Sequence, residues 1–152
     1  MHQPENDFSK NGSNSSQIVF GVGQISEVKS FVQAWVSSLE KSELTVIDPY
    51  FDLEAFEFIA EAISKDPNFN ITVLTNYSKI RTFSLASGGD ISDISDVFRS
   101  FWDTNICSDS MPFINFVFCG VPSLNNEMPI HDRWILSGKE GLHLGGSING
   151  FN

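Results

Sequence analysis

The strongest constraint on this chain is the order in which two hydrophobic periods follow one another. Short apolar runs of strand length occur at Ile18–Phe20, Leu44–Ile47, Ile71–Thr75 and Phe113–Phe118. Between them lie stretches in which apolar residues recur every three or four positions. Ile25, Val28, Phe31, Val32, Trp35, Val36 and Leu39 form one such face; Phe56, Ile59, Ala60 and Ile63 form a second; Ile91, Ile94, Val97, Phe98, Phe101 and Trp102 form a third. Steps of three and four place side chains on one helical face, whereas a compact apolar run bounded by turn residues fits a strand. The alternation therefore predicts an α/β fold, a mixed β-sheet flanked by α-helices. Trp35 belongs to the helical core face on this reading.

Local chemistry sets the boundaries. Pro49 cannot donate to a sheet ladder, so the strand holding Leu44–Ile47 stops near Asp48. Asp52 is placed to cap the following helix, which Asp66-Pro67-Asn68 ends. Asn76 to Asp90 has no clear period and contains Ser87-Gly88-Gly89, which reads as a turn or loop. Phe113–Phe118 is apolar on both faces, as expected of a strand at the centre of a covered sheet. Pro129–Leu136 and Gly141–Leu144, joined through Ser137-Gly138-Lys139-Glu140-Gly141, read as a hairpin. Residues 1–16 are polar and read as a disordered leader, leaving 17–152 as the folded domain.

Composition narrows the function classes. A net charge of −10 opposes broad, sequence-blind binding to nucleic acid, which depends on many Lys and Arg contacts to phosphate. Cys107 and Cys119 have no metal or redox spacing, and Cys119, closing an apolar run, reads as a buried thiol. The N-terminus has neither the basic start nor the apolar centre of a signal peptide, and no segment approaches the roughly 20 apolar residues of a membrane span. The expected setting is soluble and cytoplasmic. No His, Asp or Glu grouping has metal-ligand spacing, so neither a metal nor another cofactor is expected.

The segment richest in chemistry is Ile130-His131-Asp132-Arg133-Trp134, followed by Leu142-His143-Leu144-Gly145-Gly146-Ser147-Ile148-Asn149. On a strand, His131 and Arg133 point to one face and Ile130, Asp132 and Trp134 to the other. The hairpin returns Gly146, Ser147 and Asn149 to the same neighbourhood. An imidazole, a guanidinium, a hydroxyl and an amide then converge where glycine lets a ligand approach the backbone, a set suited to phosphate. His143 is a candidate to face this site, its alternative being a hydrogen-bonded structural histidine. Asp48 reads equally as a turn or helix-entry residue and as a site carboxylate. Asp93 and Asp96 read as a solvated helix face.

This segment resembles the signature of the phospholipase D superfamily, H-x-K-x4-D followed by G-S-x-N. Gly146-Ser147-Ile148-Asn149 matches the second part in full, and Asp48-Pro49-Tyr50-Phe51 after a strand is a familiar sight in bacterial members. The resemblance implies a phosphodiesterase with His131 as the nucleophile that forms a phosphohistidine. Arg133, Ser147 and Asn149 would hold the phosphate. Gly146 and His143 would lie against the substrate, nucleic acid rather than lipid. A domain that has lost catalysis and retains binding of a phosphate group, lipid headgroup or protein partner is the alternative. Arg133 stands where the family has Lys, and Gly138 where it has Asp. Family chemistry uses two motifs and this chain has one, which calls for a homodimer. Family domains also continue beyond G-S-x-N, so a missing C-terminal segment or partner chain is expected.

Overall fold

The computed structural model describes residues 18, 20, 23–107, 109–120 and 130–145. Five strands, β1 (Glu43–Ile47), β2 (Asn70–Asn76), β3 (Phe113–Cys119), β4 (Arg133–Ser137) and β5 (Glu140–Leu144), form one sheet in the order β3-β2-β1-β4-β5. β1, β2 and β3 run parallel; β4 is antiparallel to β1 and β5 is antiparallel to β4. The helices are α1 (Ile25–Ser37), α2 (Leu53–Ala62), α3 (Tyr77–Ala86) and α4 (Ile94–Phe101). This is the expected mixed α/β architecture.

Successive parallel strands step in one direction, from β1 to β2 to β3. Right-handed crossovers then place their connecting helices on the same side of the sheet. The core lies there: Val28, Val32 and Val36 of α1 and Phe56 and Ile59 of α2 are buried with Val46, Val73 and Ile135 of the sheet. Phe98 of α4 touches Phe56, Phe83 and Phe116, with ring centroids 5.1, 5.7 and 5.1 Å away. Asp52 caps α2 as expected, its carboxylate accepting from the Ala55 N–H at 3.0 Å.

Two readings need correction, and one stretch without a sequence period gains an element. Residues 77–86 form α3, which ends at the expected turn Ser87-Gly88-Gly89; only Ile80 and Ser84 of this helix are buried, so it has almost no apolar stripe for periodicity to detect. Among the described residues β3 is an edge strand, not a central one, and its second face is open, with Phe113 67% exposed. Phe116 and Phe118 belong to the Phe cluster on the covered side. Cys119 is half-buried rather than enclosed, because it belongs to that second face.

Candidate functional site at the carboxyl edge of the sheet

The parallel strands all end at one edge of the sheet, and β4 begins there. Strand order also reverses at that place: the chain leaves β1 toward β2 and later returns to β1's other side as β4. In open α/β sheets such a switch point, outside the carboxyl ends of the strands, is where ligands bind.

The register brings specific side chains to this edge. On the covered face one cross-strand row reads Phe116, Val73, Val46, Ile135 and Leu142. Two residues further along, the same strands carry Phe118, Thr75, Asp48, Arg133 and Leu144, with Asp48 directly following β1. The second row is polar at its centre. Asp48 and Thr75 are fully buried. The Asp48 Oδ1 accepts a hydrogen bond from the Tyr50 N–H at 2.8 Å and lies 3.7 Å from the Arg133 Nε. Burial pushes the Asp48 carboxyl above the usual carboxylate range, against the lowering influence of the Tyr50 N–H and of the Arg133 guanidinium.

Tyr50 joins this pair to a second cation. The Arg133 Cζ stands 5.4 Å from the centre of the Tyr50 ring, and the Lys79 Nζ of α3 stands 5.3 Å from it. Both distances are those of cation–π contacts. An aromatic ring thus gathers a guanidinium and an ammonium beside the sheet edge, in a chain whose net charge is −10.

His131 is exposed and lies two residues ahead of β4 rather than inside a strand. Its backbone neighbour is held firmly. The buried Asn76 side chain at the end of β2 donates from Nδ2 to the Ile130 carbonyl at 3.2 Å and accepts from the Ile130 N–H at 3.3 Å. This paired amide clip fixes the segment that enters β4 and so sets where His131 starts. Arg133, at the first position of β4, is half-buried.

His143 is not brought to Arg133. It pairs across the hairpin with Trp134, stacks on that indole at 4.3 Å between centroids, and so occupies the opposite face of the sheet. Its Nε2 is 3.9 Å from an Asp132 oxygen, a solvent-exposed contact of little energetic weight. Asp132 and Trp134 share this face, as the strand alternation predicts. Gly138, at the position of the motif carboxylate, sits in the β4–β5 turn with φ of +59°, at the far end of β4 from Arg133. A carboxylate there would stand away from the carboxyl edge. Gly146, Ser147 and Asn149 lie outside the described residues. Asp93 and Asp96 are exposed as expected, and Asp93 completes a capping box with Asp90.

Sequence reasoning missed Lys79, Thr75 and Asn76 as members of this edge. Asn76 directly follows an apolar run, and Lys79 lies in the helix that periodicity does not show. A separate cavity of about 440 Å³ lies near the opposite edge, lined by Pro67, Arg99, Met111, Phe113 and other residues. Its lining has no histidine or carboxylate to do chemistry, so the carboxyl edge is the better candidate. Among the described residues no group of three His, Cys, Asp or Glu side chains could hold a metal ion, and no helix is long and apolar enough to cross a membrane. No protein-family profile, curated protein or solved structure matches this chain.

Proposed function

We propose that this chain handles a phosphodiester at the carboxyl edge of its sheet, as a metal-independent phosphodiesterase acting through His131. The observation that carries the reading is the convergence of Arg133 and Lys79 on Tyr50 at the strand switch point, beside the clipped segment that presents His131. Two cations there would neutralise the phosphate and the charge that grows on its oxygens as a pentavalent transition state forms. Ser147 and Asn149 would add neutral donors. A His131 ring nitrogen would attack phosphorus, forming a P–N bond while the bond to the leaving oxygen breaks. Water would then cleave the P–N bond and restore the imidazole. The leaving oxygen needs a proton, which a second His131 in a two-fold homodimer would supply. Nucleic acid is the favoured substrate class, read at a confined site rather than along a basic surface.

A second reading has its own support. Arg133 is already engaged by Asp48 and Tyr50, and the motif carboxylate is absent from Gly138. A domain with these features would hold a phosphate group or headgroup without turning it over.

One assay separates the two. Hydrolysis of bis(4-nitrophenyl) phosphate that survives EDTA, falls at least 100-fold in His131→Ala and leaves an acid-labile phosphoryl group on the protein is the expected result. Activity that needs a divalent ion, or that His131→Ala retains, contradicts the enzymatic reading. Phosphate binding without turnover selects the second.

A further inference from the structure

The polar row at the carboxyl edge contains three buried atoms with no hydrogen-bond partner among the described residues: the Asp48 Oδ2, the Thr75 Oγ1 and the Arg133 Nε. They sit side by side: Thr75 on β2, Asp48 directly after β1, and Arg133 on β4. Buried polar atoms are nearly always paired, because an unpaired one carries its full desolvation cost, so three together mark a place where folding alone does not explain the residues. The Asp48–Arg133 contact has the same character. At 3.7 Å it is an ion pair and not a hydrogen bond, between a carboxylate with no exposure and a guanidinium whose side chain is 17% exposed. Such pairs are weak sources of stability, since desolvation offsets their attraction.

A positioning role accounts for the Asp48–Arg133 pair. Asp48 is fully buried, and the Tyr50 N–H holds its Oδ1. A carboxylate attracting the guanidinium on its Nε side leaves the two terminal nitrogens available as a fork. The Tyr50 ring restrains the Cζ from another side. Arg recognises phosphate in two-pronged fashion only when its plane is set, and order imposed beforehand reduces what is lost on binding. A lysine in place of Arg133 has no planar guanidinium for Asp48 and Tyr50 to set and no fork to orient.

We infer that Asp48 and Arg133 form a matched pair in which Asp48 is the positioning residue that presents the Arg133 fork to a phosphate, while Lys79 supplies the unoriented charge. The inference rests on the phosphate site proposed above and gives it a mode of recognition. Asp48 also competes with phosphate for the guanidinium by charge alone. The two effects have opposite signs in a binding experiment, which makes them separable.

The test is calorimetric titration of inorganic phosphate into the full chain and into Asp48→Asn, Arg133→Lys and the double variant, each checked for folding by circular dichroism. Asparagine keeps an oxygen for the Tyr50 N–H and lysine keeps the charge, so both substitutions preserve the fold's main requirements. The inference predicts a loss of affinity of about fivefold or more in Asp48→Asn, about tenfold or more in Arg133→Lys, and no further loss in the double variant, as for residues acting as one unit. Affinity in Arg133→Lys equal to that of the native chain overturns it, as do tighter binding by Asp48→Asn and additive losses. A native chain that binds no phosphate refutes the site itself; a chain that binds, with Asp48→Asn binding equally well, refutes only the positioning role.

Discussion

Two neighbouring rows of the same sheet face make opposite use of the same strands. Val73, Val46 and Ile135 are each fully buried, pack under α1 and α2, and have no polar side-chain atom to satisfy. One alternation further on, Thr75 and Asp48 are as deeply buried, yet each has an atom without a hydrogen-bond partner among the described residues. Burial alone therefore does not distinguish core from site here. What distinguishes them is whether burial is chemically complete: the first row is finished by folding, whereas the second keeps donors and acceptors in reserve. Residues that serve function at a cost to stability are expected to look like this.

The contrast can be broken most forcefully from the apolar side. Ile135→Ala removes a fully buried side chain from the centre of the first row and should cost about 2–5 kcal/mol by transfer and cavity terms together. Urea unfolding measures it, and a loss below about 1 kcal/mol would mean that the covered face is packed less closely than its burial implies.

A reciprocal exchange sharpens the comparison. Val73 and Thr75 share a strand and a face, are both fully buried and have nearly the same shape. Val73→Thr places an unpaired hydroxyl in the finished row and should destabilise by about 1–3 kcal/mol. Thr75→Val removes an unpaired hydroxyl from the other row and should leave ligand-free stability unchanged or raised by about 1 kcal/mol. Equal losses from both substitutions in thermal unfolding would show that the Thr75 hydroxyl is satisfied and that the two rows do not differ as argued.

The smallest effect is a dependence on pH. Burial holds the Asp48 carboxyl above its unfolded value of 3.8, so between that value and its folded pKa the native chain binds more protons than the unfolded one. Its contribution to stability is thus present below pH 3.8 and is lost as pH rises through the raised folded value. Arg133, the Tyr50 N–H and Asp52 are the neighbours that modulate it, and the Asp52 carboxyl is itself raised by burial. Asp48→Asn should flatten this part of the stability profile and leave the Asp52 part in place. Identical profiles for the two chains would mean that Asp48 is not the desolvated group described here.

Among the described residues, the sequence shows β1 to β5 and three of the four α-helices because their apolar periods are strong: Val28, Val32 and Val36 in α1, and the Ala55–Ala62 face in α2, read directly, whereas the apolar run at Ile18 and Phe20 is not in a strand at either residue. α3 stayed hidden because two buried residues do not make a stripe. The edge position of β3 could not be read from its Phe residues, since strand order is decided by crossovers and not by composition. Of the candidate site, Arg133 is legible through its spacing from His131, whose part in it is proposed, and the hairpin through its glycine turn. Asp48 stayed ambiguous because the identity of its neighbours depends on the return of β4 to β1. Lys79 and Thr75 come to the site only through tertiary folding, and His143 was drawn toward it by proximity in sequence although pairing with Trp134 sets it on the other face.

The role proposed for the carboxyl edge is phosphate binding. Titration of inorganic phosphate into isotopically labelled chain, followed by two-dimensional NMR of the backbone amides, the Arg133 side chain and the histidine rings, addresses it most directly. The expected result is saturable shifts concentrated at Tyr50, Lys79, His131 and Arg133, with the Phe116–Leu142 row unmoved. Shifts centred instead on Arg99 and Phe113 at the opposite edge, or no saturable shift anywhere, would contradict it.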